Sequence, residues 1–584
     1  MSERPAAAGV PELARWAMTA VVALFLAAVL WVAVWVPFHA TDSLIYGRWS
    51  RLIADTGNLH FDGVGSGFLH RPLVYVGEGW LWRVLGFSEP IGRLWMALFL
   101  VVLVAAVWRL AAIEGGVAVG ALAGVLLVAT PDVVALAASG LTDVPVAACI
   151  ALCGVVALAG PRTGGLRFAA LAVTAALAIL AKPSALPAVG GLALALLVKP
   201  RGDWKRDWAA LVVGGVVALG WDAWQAHEIG TGFVSFLQGA DSDLARGVVS
   251  YYQQLNAQSR ASFILGAGWL GPYLLLLLLF GLVYGAGRAL PGWTHRRAAT
   301  VAAPAAVAGA IVLPLVAGGD VGPFDTSKPA ALLGTLLLIV PLWWSRDCPE
   351  EAAPSRPHLL RMLIWAAPPA VAWIVSAPFQ TRYLSPAWAP LFVLIAAATW
   401  TAVRGTLAQR RAGPALALGV VAVLCAMAIF DLRNLDGLGA RSDGTINAAS
   451  AVRELGVTGW FDRDRAERAA DPDLAALHAA VDRAMARPGR LVTLDGRVGF
   501  WYPRRTVRAE AQRCAAVLGF STLVVVQSSL GLDAERERRL TPSERAEATG
   551  GNAADPAFWA RCHDPRLEVV AQRPGQFTVF AVRR

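Results

Sequence analysis

The sequence predicts an all-α polytopic membrane domain followed by a C-terminal α/β domain outside the membrane, and three observations predict it. Hydrophobic residues fill 57% of the 584 positions and charged ones only 16%, with a mean hydropathy of +0.54, a balance too apolar for a soluble globular chain. Apolar runs long enough to cross ~30 Å of hydrocarbon recur from Leu13 to near Asp431. From Leu432 the composition turns charged and polar. The boundaries expected are a membrane domain over 1–431, with its first outer loop at 39–90, and a soluble domain over 432–584.

Taken in order, the first run, Leu13 to Phe38, is longer than the apolar core of a cleavable signal and reads as a retained anchor. Arg4 and Arg15 precede it, so the positive-inside bias puts the N-terminus in the cytoplasm and His39 onward outside. Runs near 91–113, 117–136 and 143–160 give three more crossings. The stretch Leu166 to Val198 is too long for one, and Lys182-Pro183 breaks it near the middle, where a proline interrupts the helical ladder. Two short helices with Lys182 at their outer turn satisfy the basic groups on both flanks. A crossing near 208–226 leads to a second outer segment, Gln225 to Ser262, a candidate lid. Runs near 263–287, 298–317, 329–345, 360–377, 383–403 and 414–430 follow, with Arg296, Arg297, Arg346, Arg361, Arg404, Arg410 and Arg411 on the inner side. The expectation is about thirteen transmembrane helices, N-terminus in and C-terminus out.

In the tail, a helical pattern runs around Ala466 to Ala486, and strand-like runs occur at Arg490–Leu494, Thr522–Gln527 and Leu567–Ala571. Arg573-Pro574-Gly575-Gln576 joins the last run to Phe577–Val582 as a hairpin signal. Among the six cysteines, Cys149, Cys153 and Cys425 lie in apolar runs as small hydrophobes, and Cys348 is expected reduced. Cys514 and Cys562 are either one disulfide or two thiols. The net charge of +10 sits in short loops between apolar runs, the pattern of membrane topology and not of nucleic-acid binding. No phosphate loop, GxSxG, HExxH or metal-ligand cluster occurs.

The chemistry-bearing stretch runs from His39 to Tyr75. Asp42 follows the first crossing, where partial desolvation suits a general base, and it equally suits the cap of a helix over Ser43–Asp55. Asp143, in Leu141-Thr142-Asp143-Val144-Pro145, has the same two readings. His70, Arg71, Arg93, Lys182, Lys328 and Arg382 remain on the outer side, which the charge bias depletes of cations, and several of them converging would hold a phosphate. Taken singly, each also fits snorkelling or a local ion pair. The amphipathic segments Ser43–Ala54 and Val74–Leu85 read as surface-lying helices, with Trp49, Trp80 and Trp82 at headgroup depth. An acid and a cationic site at a bilayer surface point to a lipid-linked anionic substrate.

Four segments, in order, carry a resemblance to a known superfamily. They are Asp42-Ser43-Leu44-Ile45-Tyr46 with Asp55-Thr56-Gly57, His70-Arg71-Pro72-Leu73-Val74-Tyr75 with Arg93-Leu94, Leu141-Thr142-Asp143-Val144-Pro145 with Lys182-Pro183, and Arg382-Tyr383-Leu384-Ser385-Pro386. Over roughly Leu13 to Val403 the chain resembles the GT-C glycosyltransferases that use polyprenyl-phosphate sugars, the protein O-mannosyltransferases and aminoarabinose transferases among them.

The resemblance implies a GT-C-like membrane domain in which Asp42, assisted by Asp143, is catalytic and His70, Arg71, Lys182 and Arg382 hold the donor phosphate. Tyr46, Tyr75, Glu78 and Tyr383 are then expected at the substrate. The implied partners are a polyprenyl-phosphate-linked sugar donor, a glycan, lipid or protein acceptor, and membrane lipids, with no nucleic acid. Thr41 stands before Asp42 and His70 before Arg71, where relatives often carry a second acid, so a divalent metal and the second carboxylate (Asp55, Asp62, Glu78 or Asp143) stay open. The Ala, Val, Gly and Arg bias suggests a high-GC bacterium and hence its inner membrane, with the active site and tail outside. A transporter or flippase of lipid-linked sugars and a non-catalytic glycan-binding scaffold are the rival readings.

Overall fold

The structure, a computed structural model, describes residues 9–35, 41–57, 59, 72–130, 133, 136, 140–160, 164–198, 204–229, 274–317, 329–375, 381–409, 413–431, 472–486, 490–493, 496–503, 506–508, 523–528, 567–573 and 577–582. The helical part begins with α1 (Gly9–Trp35), α2 (Thr41–Thr56), α3 (Pro72–Leu85), α4 (Glu89–Gly115), α5 (Val117–Val128) and α6 (Asp143–Ala159). It continues through α7 (Gly164–Ala181), α8 (Leu186–Ala195), α9 (Trp204–Ile229), α10 (Leu274–Ala289), α11 (His295–Ala317) and α12 (Pro329–Trp344). It ends with α13 (Arg356–Val375), α14 (Trp388–Leu407) and α15 (Gly413–Asp431).

Five stretches among the described residues are long and apolar enough to cross a membrane: Glu12–Trp31, Glu89–Ile113, Gly164–Ala181, His295–Leu313 and Leu384–Leu407. Shorter apolar helices at Val117–Val128, Asp143–Ala159, Pro183–Ala195, Leu274–Ala289 and Gly413–Ala426 lie among them. A helix apolar on every face belongs in an interior. α14 is that helix, buried almost throughout its length and packed against α4, α5, α6, α10, α13 and α15. By contrast α1, α9 and α12 keep exposed rows such as Leu13, Trp16 and Leu24, Val212, Val213, Val216 and Val217, and Leu333, Leu336 and Leu337. Such rows suit hydrocarbon.

Two basic residues assigned by the charge bias to the inner side, Arg361 and Arg404, also bind backbone carbonyls of neighbouring segments. Arg361 Nε donates to the Val198 carbonyl at 2.9 Å, and Arg404 donates to the Ala352 carbonyl. Arg288 Nη1 donates to Glu350 Oε1 at 2.7 Å while the His295 amide donates to Glu350 Oε2 at 2.9 Å, which ties the α10–α11 turn to the segment before α13. The guanidinium and amide together hold the Glu350 carboxyl below its usual range, against a partial desolvation that acts the other way.

In the tail, α16 (Pro472–Met485) and α17 (Gly496–Trp501) accompany β1 (Arg490–Thr493), β2 (Thr506–Arg508), β3 (Leu523–Ser528), β4 (Leu567–Arg573) and β5 (Phe577–Val582). The five strands form one mixed sheet in the order β2-β1-β3-β5-β4, parallel across β2-β1-β3 and antiparallel across β3-β5-β4. Arg573 pairs with Phe577 at the predicted hairpin, and a bulge lies between Val569 and Ala571. The short strand β2 is an element the sequence pattern misses. The segment Gln225–Ser262 beyond residue 229, along with His70, Arg71, Asp62, Lys328, Cys514 and Cys562, lies outside the described residues.

The sheet's core is shared. Leu477, Val481, Leu491, Val498, Phe500, Phe577 and Val579 cluster with Trp82 of α3. This corrects the reading of Trp82 and Trp49 as headgroup anchors, because both are buried and only Trp80 of the three is exposed. Trp82 Nε1 donates to the Ser88 carbonyl at 2.7 Å, which satisfies the one polar atom of the buried indole.

Candidate functional site

α2 begins at Thr41, earlier than the predicted Ser43, so Asp42 falls inside the first helical turn. By the 3.6-residue period, position 42 shares a face with Tyr46, Trp49 and Ile53, all three buried. The side chains of residues 41–45 lie outside the described set. The face is packed in detail further along: Trp49 meets Tyr75 edge-on at 5.3 Å between ring centroids, and Tyr46 lies 6.3 Å from Trp49. Tyr46 and Tyr75, expected at a substrate, are therefore core side chains at 2% and 0% exposure that seat α2 on α3.

Glu78 is buried too. Its Oε2 lies 2.6 Å from Ser50 Oγ, which lies 3.0 Å from the Tyr46 carbonyl. Burial pushes the Glu78 carboxyl up to about 8, with Ser50 and Arg93 acting downward and Glu89 upward. The Ser50 hydroxyl lies within donating distance of two acceptors, the Glu78 carboxyl and the Tyr46 carbonyl, and has one proton to share between them. The Glu78–Ser50 contact thus ties α3 to α2 inside the packed helices. The approach of α3 to α2 needs Gly79, where a Cβ would come 2.6 Å from the Ser50 carbonyl oxygen and 2.8 Å from Ile53 Cβ.

The second part of the site forms where the predicted helix break occurs. α7 ends at Ala181, Lys182 is extended, and a 3-10 turn over Pro183–Ala185 leads into α8. Lys182 Nζ donates to Asp143 Oδ1, and the side chains are 4% and 2% exposed. The N-cap of α6 is Thr142, without a side-chain cap bond, which corrects the capping reading of Asp143: its carboxylate is committed to Lys182. The 3-10 segment Thr381–Ala387, carrying Arg382 and Tyr383, packs on α6 and on the Pro183–Ala185 turn. The side chains of Arg382 and Tyr383 lie outside the described residues. α3 packs on α7, so the first loop and the Lys182 break are neighbours.

Two residues that the sequence reading did not single out sit at this junction. The hydroxyls of Ser184 and Ser385 are buried with no hydrogen-bond partner among the described residues, each on one of the two touching 3-10 segments. Buried polar atoms are rarely left unsatisfied, and one such hydroxyl on each of two touching turns, one of them following Lys182, suits an oxyanion. The adjoining Lys-Pro and Ser-Pro steps were the available signal. Among the described residues no group of three or more His, Cys, Asp or Glu side chains is assembled to hold a metal.

The fold has solved counterparts. ArnT from Cupriavidus metallidurans in the apo state superposes with a TM-score of 0.54 over 96% of this chain and 98% of its own, at 15% identity. The same ArnT bound to undecaprenyl phosphate gives 0.53 over 96% and 97%, at 16% identity. The apo oligosaccharyltransferase of Archaeoglobus fulgidus gives 0.45 over 85% and 65%, at 13% identity. No family model matches the chain, and no curated protein matches its sequence. The chain therefore shares the overall fold of ArnT over 96% of its length.

Proposed function

We propose that this chain is an inverting glycosyltransferase that moves a monosaccharide from a polyprenyl-phosphate donor to a hydroxyl on a cell-envelope glycan, lipid or protein. The observation that carries the reading is the buried Lys182–Asp143 pair at the break whose 3-10 turn, carrying Ser184, touches the segment of Ser385, in a chain whose fold is that of ArnT, seen with undecaprenyl phosphate. Lys182, fixed by Asp143, together with His70, Arg71 and Arg382 meets the donor phosphate. Asp42, in the first turn of α2, takes the acceptor's proton. The acceptor oxygen then attacks the anomeric carbon, and the bond to phosphate breaks with its electron pair leaving on the polyprenyl phosphate. Fixed cations stabilise that developing charge, so no separate acid is needed. A single displacement inverts the anomeric centre.

In the same proposal residues 1–431 form a bacterial inner-membrane domain of about thirteen crossings. The site and the tail, 432–584, then face outward. The test is to incubate the purified protein with a panel of polyprenyl-phosphate sugars and detect released polyprenyl phosphate. Release that requires Asp42 supports the reading. Movement of a labelled lipid-linked sugar across vesicles without release would overturn it in favour of a transporter.

A further inference from the structure

α2 is held from three directions. Tyr46, Trp49 and Ile53 face the helical core, Ser50 faces Glu78 of α3, and the face opposite position 42 meets the tail. There Arg51 Nη1 donates to the Phe500 carbonyl at 3.0 Å and Arg48 Nη2 to the Pro503 carbonyl at 3.3 Å. The Arg51 guanidinium also lies 4.2 Å from the centre of the Phe87 ring, which stands edge-on to Phe500 at 5.8 Å. Gly47 completes the seat, because a Cβ there would come 2.8 Å from the Phe500 ring. Phe500, 1% exposed, belongs at once to the sheet's core and to this contact.

We infer that the C-terminal sheet unit is a positioning element for the catalytic base, acting through Arg51 and Phe500 on the helix whose first turn carries Asp42. The inference rests on the reading of Asp42 given above and goes beyond it, since it assigns the tail a part in the transfer step. Gly47 is five residues from Asp42, about 7.5 Å along the axis at ~1.5 Å per residue, so a shift at the tail contact is passed along a rigid helix to the base. Misplacement of a reacting group by about 1 Å can cost about 10²-fold in rate. Arg51 and Phe500 are thus positioning residues.

The experiment uses the full chain and its Arg51→Ala, Arg51→Lys and Phe500→Ala variants, with hydrogen exchange over residues 41–47, melting, donor binding and steady-state kinetics measured on each. Arg51→Ala is expected to keep the fold and donor affinity, to speed exchange at 41–47, and to lower kcat by about 10- to 100-fold with little change in acceptor KM. Arg51→Lys, which keeps a donor for the Phe500 carbonyl, should recover most of that loss. Phe500→Ala should reproduce the exchange effect even if it also lowers the melting point. Unchanged exchange in Arg51→Ala, or faster exchange with wild-type kcat, would overturn the inference alone. A wild-type protein that releases no polyprenyl phosphate from any donor would overturn the glycosyltransferase reading and this inference with it.

Discussion

The ammonium of Lys182, at the break between α7 and α8, is hydrogen-bonded to the carboxylate of Asp143 at the start of α6, with both side chains almost wholly buried. Removing one partner strands the other charge, which typically costs ~3–5 kcal/mol. Lys182→Met and Asp143→Leu should therefore each destabilise the protein by that order, and the double change Lys182→Met with Asp143→Leu should be markedly milder than either single one. Denaturant unfolding of these three variants and the wild type checks this.

Asp42→Asn removes the proposed base while keeping the shape of the side chain. Turnover should fall by ~10²- to 10⁴-fold, the range for general-base assistance, with donor affinity within about twofold. Single-turnover transfer and equilibrium donor binding measure the two separately. Normal turnover would remove Asp42 from the mechanism.

Glu78 titrates at about 8 in the folded protein against 4.5 as a free group, because burial disfavours its charge. The folded state then holds a proton that the unfolded chain gives up, so stability falls as pH rises from about 4.5 and levels off above about 8. Glu78→Gln keeps a hydrogen-bonding partner for Ser50 and has no charge to bury. Its Tm should fall less than that of the wild type between pH 5 and 9, and a parallel fall in both would show that Glu78 is not the group responsible.

Gly79→Ala places a methyl against the Ser50 carbonyl and Ile53. Both are part of a packed helix, so the added carbon forces the helices apart, at a cost of ~1–3 kcal/mol. A lowered Tm accompanied by weakened near-ultraviolet signal from Trp49 and Trp82 is the expected result.

Much of this architecture is legible in the sequence because the membrane makes hydrophobic length a direct report of helices. The Lys182-Pro183 break and the hairpin pairing of Arg573 with Phe577 both follow from single residues with strong local preferences. What the sequence conceals is which partner each polar group finds. Asp143 has the pattern of a helix cap and instead binds a lysine 39 residues away. Trp49 and Trp82 have the pattern of interfacial anchors, but Trp49 packs against Tyr75 in the helical core and the sheet unit covers Trp82, and no local signal announces a cover built from residues near 500. Ser184 and Ser385 attract no attention until two distant turns meet.

The contacts on α2 also order events during synthesis. Arg48 and Arg51 wait for partners 455 and 449 residues downstream, and the sheet that carries those partners closes only with the strand ending at Val582. A ribosome-bound chain can thus form its apolar helices while α2 still lacks its contacts with the tail. In the transferase proposed above, the base would then be set only once the strand ending at Val582 has paired.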